Sequence, residues 1–190
     1  MQRRTRTGRR GSAPRGRRGV TLVELVTALA IAAVLVVAAL PGFADWIAEG
    51  EVMNEARHLA AVMSVARSEA IRRSERVNLC KSRDRLQCDA GASWGDGFIV
   101  FVDADHDGQV DAAVEPILRI AEAAPHGISV SGNHPVADYV SFTGLGTARL
   151  LSGALQMGTI TVCRSGRRGA DVILVNSGRV RIAKTASVCP

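Results

Sequence analysis

Residues 1–19 contain no acidic residue, yet they hold eight arginines: Arg3, Arg4, Arg6, Arg9, Arg10, Arg15, Arg17 and Arg18. Removing those eight from 24 basic residues leaves 16 against 18 acidic ones, a formal charge of −2 for residues 20–190. A globally basic nucleic-acid binder is therefore excluded, and the pI near 9.9 belongs to the leader. No C-x-x-C pair occurs, and His58, His106, His126 and His134 are scattered, which argues against a zinc centre. No cysteine stands in a nucleophile context. Gly144-x-Gly146 lacks the rest of a phosphate-binding loop and opens no convincing helix. These absences leave no enzyme chemistry to build on. No Phe, Trp or Tyr follows Phe142, so the basic C-terminal segment has no platform for stacking single-stranded bases.

What the sequence does have is an ordered N-terminus. The arginine leader ends at Gly19, and a 21-residue apolar run, Val20 to Leu40, follows, interrupted by Glu24 and closed by Pro41-Gly42. About 20 apolar residues as helix cross a hydrocarbon core of ~30 Å, so this run is long enough to span a membrane. The arginines would then keep the N-terminus cytoplasmic. A carboxylate inside such a segment costs on the order of 2.5–3.5 kcal/mol, so Glu24 calls for a partner, for which a neighbouring amino terminus is suited. A secretory signal would have an apolar core of only ~7–15 residues before a small-residue cleavage site. A plain anchor would account for the length and the arginines but gives no role to Glu24 or Gly19.

Gly19-Val20-Thr21-Leu22-Val23-Glu24-Leu25 resembles the processing site of type IV pilins and type II secretion pseudopilins. The resemblance implies cleavage after Gly19 by a prepilin peptidase, methylation of the new N-terminal Val20, and filament docking through Glu24. Pro41, the 22nd residue after the cut, also fits the pattern, whereas Val20 stands where those families usually have Phe. The implied partners are the prepilin peptidase, the inner membrane and other major and minor pilins or pseudopilins. The implied location is a single-pass inner-membrane protein with a periplasmic C-terminal domain, stored there before assembly into a pilus or pseudopilus.

Beyond Pro41-Gly42, where a kink is expected, Met53, Ala56, Ala60, Met63, Arg67 and Ala70 recur at three- and four-residue spacing, with Leu59 and Ala66 beside them. That is one face of an amphipathic helix reaching about Arg73. Short β-like runs follow: Val77–Cys80, Phe98–Val102, Pro116–Ala121, Ile128–Ser131, Tyr139–Phe142, Thr159–Cys163, Val172–Asn176 and Arg179–Ala183. Ser177-Gly178 reads as the tight turn of a last hairpin. The expected fold class is α+β, a long N-terminal helix packed on an antiparallel β-sheet domain. Its expected divisions are a cleaved leader (1–19), a membrane and filament-core helix (20–40), an amphipathic continuation (41–75) and a β-rich periplasmic domain (76–190). Four cysteines allow three pairings, and Cys80–Cys88 with Cys163–Cys189 is favoured because both close local loops in a disulfide-permissive compartment. Trp94-Gly95-Asp96-Gly97-Phe98-Ile99-Val100-Phe101-Val102-Asp103 resembles the H-type minor pseudopilins of type II secretion and the related FimT-type minor pilins. So do Ala66-Arg67-Ser68-Glu69-Ala70 and Gly178-Arg179-Val180-Arg181. Trp94 and Phe98 also have a plain packing role between helix and sheet.

Two segments could bind ligands. Asp103, Asp105, Asp107, Gln109 and Asp111 fall at positions 1, 3, 5, 7 and 9, with Gly108 at 6, of an EF-hand-like loop, a spacing suited to Ca²⁺. Position 12 is Val114 rather than Glu, and Glu115 comes one residue late, so a polar connecting loop is the competing reading. Near the C-terminus Arg167, Arg168, Arg179, Arg181 and Lys184 form a basic group. Gly178-Arg179-Val180-Arg181 resembles the Gly-Arg-x-Arg signature of FimT-type DNA-uptake proteins, which implies DNA as a possible partner. The competing reading is a charged edge strand that resists aggregation. Taken together, the expected function is a minor pseudopilin supporting type II protein export, with a DNA-binding type IV minor pilin for natural transformation as the alternative.

Overall fold

The computed structural model describes residues 19–190, without the side chains of 38–42, 44 and 45. The expected leader thus lies outside the described residues except for Gly19. The chain divides into two compact units, Met1–Gly42 and Phe43–Pro190. One helix, α1 (Leu22–Arg73), contributes to both and continues through Pro41 and Gly42.

In the first unit the helix begins at a capping device. Leu25 N–H donates to the Thr21 carbonyl at 3.1 Å, and Glu24 N–H donates to Thr21 Oγ1 at 3.3 Å. Thr-x-x-Glu places Glu24 in the first turn, where a carboxylate also suits the helix dipole.

In the second unit eight strands form two antiparallel four-stranded sheets. They are β1 (Val77–Lys81), β2 (Phe98–Val102), β3 (Ile117–Ala121), β4 (Ser129–Gly132), β5 (Tyr139–Phe142), β6 (Gly158–Cys163), β7 (Arg168–Leu174) and β8 (Val180–Val188). The first sheet runs β3-β2-β1-β5 and the second β4-β6-β7-β8. All eight expected strands are present. The largest differences are at the end: β7 begins four residues before Val172, and β8 continues five residues beyond Ala183. Glycines and small polar residues hid both extensions, which are held by pairing with β6 and with each other.

The face of α1 that enters the main core is Val52, Ala56, Leu59, Met63, Ala66 and Ala70. Met53, Ala60 and Arg67, assigned to that face from spacing, lie on its half-buried shoulder. Their spacing fits a helix as well as the buried row does, because a 3.6-residue repeat leaves the phase to the sheet that covers it. The buried row packs with Val77, Leu79, Phe98, Val100, Phe142, Ile160, Val162, Val172 and Leu174 in one core. Trp94 fills that core as expected, edge-on to Phe98 at 5.9 Å, and satisfies its ring N–H by donating to the Val136 carbonyl at 3.0 Å. Strands β1 and β2 are buried on both faces, because Cys80, Ile99 and Phe101 form a second cluster on the far side.

Cys80–Cys88 and Cys163–Cys189 are bonded, the local pairing favoured from sequence. The second bridge joins the end of β6 to the residue after β8, across β7. Replacing both Cys163 and Cys189 by Ser should lower stability by about 2–4 kcal/mol in urea unfolding, with early proteolysis confined to the segment after Val180.

Three segments separated in sequence meet at one tight junction. Arg67 Nε donates to the Gly146 carbonyl at 2.8 Å, and a Cβ on Gly178 would stand 2.0 Å from that same oxygen. Gly178 also has φ +77°, in the tight turn closed by its N–H donating to the Val175 carbonyl at 2.7 Å. Glycine is required there twice over, by conformation and by space. Gly178→Ala should therefore destabilise the protein by more than about 1 kcal/mol in chemical denaturation. Arg179→Ala, one exposed residue along, should stay within about 0.5 kcal/mol of wild type.

Candidate functional site

Three features carry functional potential: the apolar N-terminal helix, the acidic β2–β3 loop and the basic end of the second sheet. In the first, every described side chain from Gly19 to Val37 is exposed, including Leu22 at 78% and Val34 at 70%. So long an uncovered apolar surface marks a site of membrane or protein contact. Among the described residues no helix is long and apolar enough to cross a membrane. The described side chains of the run stop at Val37, short of the expected span to Leu40.

In the second feature the acidic loop does not close as a linear EF-hand pattern would. Asp103, Asp105 and Glu115 bring carboxylate oxygens within 4.8 Å of one another. Asp107 and Asp111 lie outside this group and accept from backbone N–H groups two residues on, at Gln109 and Ala113. Glu115 is 3% exposed, and its two oxygens accept from Ala104 N–H at 2.7 Å and Asp111 N–H at 3.0 Å. Asp103, fully buried, accepts from Asn78 Nδ2 at 2.5 Å and Gly108 N–H at 3.3 Å. Burial raises the Asp103 pKa above its ordinary value, those two hydrogen bonds oppose the shift, and the nearby Glu115 charge adds to it. Glu115 is the residue spacing alone left out. Its position one place late in the motif was the available signal.

In the third feature the five basic residues divide into two pairs and a fifth, Arg167, that stands apart. Arg179, immediately before β8, and Arg181 within it line one shallow surface groove with Val175, while Val180 and Ile182 pack on the core. Both arginines are exposed and make no ion pair with a described residue. Lys184 and Arg168 instead line an open groove of about 590 Å³ with Trp46, Ile47 and Arg57. Arg167 is half-buried and already engaged. The five residues therefore do not form one surface. Arg164, at the same end, is committed to Glu51 and to the His126 carbonyl at 2.9 Å.

The architecture and the sequence both have known counterparts. Residues 14–40 match the prokaryotic N-terminal methylation motif. The fold is similar to two crystal structures of the type IV minor pilin FimU from Pseudomonas aeruginosa. One aligns with a TM-score of 0.57 at 19% identity, covering 75% of this chain and 98% of that one. The other, from a different crystal form, gives 0.53 at 20% identity over 71% and 98%. At that identity the likeness concerns the fold. No curated protein matches the chain. Residues 55–178, from the middle of the buried helix face to the glycine of the last hairpin, match the family described as Type II transport protein GspH, and the chain belongs to that family.

Proposed function

We propose that this protein is a minor pseudopilin of a type II secretion pseudopilus, made as a precursor and cut after Gly19. The observation that carries this reading is an N-terminal methylation motif over residues 14–40 on a helix whose apolar side chains are uncovered. The precursor would rest in the inner membrane through Val20–Leu40, with residues 43–190 in the periplasm. Subunits would then associate by lateral packing of these helices in a heterologous arrangement, which extends into a filament. Glu24 would meet the Val20 amine of a neighbouring subunit in apolar surroundings, where an unpaired carboxylate is costly.

Intact mass of the mature protein from membranes should correspond to a Val20 N-terminus, shortened by 19 residues and carrying one methyl group. A chain that keeps its leader overturns the reading. Glu24→Ala should leave cleavage intact while the subunit is lost from sheared filament fractions. Undiminished incorporation of that variant would remove the role given to Glu24.

The alternative is a type IV minor pilin that binds DNA, and Arg179 and Arg181, exposed and paired with no acidic group among the described residues, favour it. A mobility shift of duplex DNA by the full chain in detergent separates the two. DNA binding requires a shift that weakens as salt rises and is lost in the Arg179→Ala, Arg181→Ala double variant. Absence of any shift by wild type leaves secretion as the function, tested by loss of exported protein when the subunit is deleted.

A further inference from the structure

We propose that the β2–β3 loop binds one calcium ion through Asp103, Asp105 and Glu115, beside the side-chain amide of Asn78. The three carboxylates converge to within 4.8 Å, and two of them are buried. Like charges so close repel one another unless a cation or a proton stands between them. No ion pair within 4.0 Å joins any of the three to a described Lys, Arg or His. Arg76 is the cation whose field reaches Asp103; its Nη1 donates to Ser141 Oγ at 2.6 Å and to the Arg149 carbonyl at 3.4 Å, and it forms no ion pair with the three carboxylates.

Asn78 supplies a second, separate indication. It is 1% exposed on the neighbouring strand β1, and its amide faces the cluster, with Nδ2 donating to Asp103 Oδ2. The oxygen of that same amide, Oδ1, is buried with no hydrogen-bond partner. A buried acceptor without a donor is unfavourable, and a cation or its bound water satisfies such an oxygen.

The donor set selects the ion. All the available groups are oxygens, with no thiolate or imidazole in the cluster, which suits a hard cation rather than zinc. The backbone N–H bonds to Asp103 and Glu115 do not exhaust these carboxylates, since each ionised carboxylate has about four lone-pair sites. Asp105 is exposed and gives the ion a route from solvent, and water can complete the six to eight ligands that calcium accepts. The flexible coordination number favours Ca²⁺ over Mg²⁺, which demands near-ideal octahedral geometry. Glu115, thirteenth from Asp103, takes the part that the twelfth residue takes in an EF-hand.

Titration calorimetry of the full chain in detergent micelles with CaCl₂ should give one site, with a Kd of about 10⁻⁴–10⁻³ M as in extracellular modules. In 10 mM CaCl₂ the Tm should rise by about 3–10 °C over its value in chelator. Asp105→Ala, at an exposed position, should fold normally and weaken binding at least tenfold, whereas Asp107→Ala, outside the cluster, should bind as wild type does. Glu115→Gln should also weaken binding, and Asp105→Ala decides the question if Glu115→Gln does not fold. The proposal is overturned by absence of binding heat together with an unchanged Tm in wild type. It is equally overturned by undiminished binding in Asp105→Ala, or by a loss in Asp107→Ala as large as that in Asp105→Ala.

Discussion

The second unit depends on one packed row of the helix: Val52, Ala56, Leu59, Met63, Ala66 and Ala70. Its composition is as important as its apolarity. The three alanines let backbone and side chains of the strands come close, while Leu59 and Met63 fill the space between them. Bulk arrives from the sheet side instead, through Trp94, Phe98 and Phe142, all at most 2% exposed. A larger residue at an alanine of this row would overpack the interface, which commonly costs about 1–3 kcal/mol. The same row covers one face of β1 and β2, which are buried on both faces. One face needs the helix, and the other needs the disulfide-closed loop and the side chains of Val110, Ile117 and Tyr139.

Most of this was legible in the sequence, for reasons that are local. Each strand is a short β-branched or aromatic run between glycines, and both disulfides close short loops, so neighbours in sequence carry the information. The helix face was legible as a period but not as a phase. Met53 and Ala60 fit the spacing as well as Val52 and Leu59 do, and only the sheet chooses between them. The ends of β7 and β8 were not legible either. Arg168-Gly169-Ala170 and Lys184-Thr185-Ala186-Ser187 have little β propensity, and their strand conformation comes from pairing and from the Cys163–Cys189 bridge.

Contacts between distant segments explain the rest of what was missed. Arg67, Gly146 and Gly178 read as three unrelated small motifs, yet they form one junction in which the arginine holds a carbonyl and both glycines make room. Gly178 therefore owes its place before Arg179 and Arg181 to packing, whatever those arginines bind. The acidic loop shows the same dependence on the third dimension. A linear count from Asp103 selects Asp107, Gln109 and Asp111, but the turn through His106 and Gly108, both at positive φ, carries Glu115 to the cluster instead. The basic group fails as a unit because its members line different grooves: Arg179 and Arg181 share one, and Lys184, on the opposite face of β8 from Arg181, shares another with Arg168. Charge on that outermost strand also blocks sheet extension, which gives the arginines a function even without a ligand.

The apolar helix and the slightly acidic remainder of the chain place opposite demands on the molecule, and processing offers a way to meet both. With the leader attached, Glu24 stands five residues after Gly19 and follows eight arginines, which the proposed topology would keep on the cytoplasmic side. Moving that leader through a bilayer would be costly, since arginine is among the most expensive residues to place in hydrocarbon. Cleavage after Gly19 would change two things at once. It would remove the arginine charge, and it would create at Val20 the cation that the proposed pairing with Glu24 on a neighbouring subunit requires. An ion pair in apolar surroundings contributes little net stability, but a lone carboxylate there is strongly unfavourable. The pair would thus act mainly by excluding other registers, so that only processed subunits, aligned amine to carboxylate, could pack their helices together.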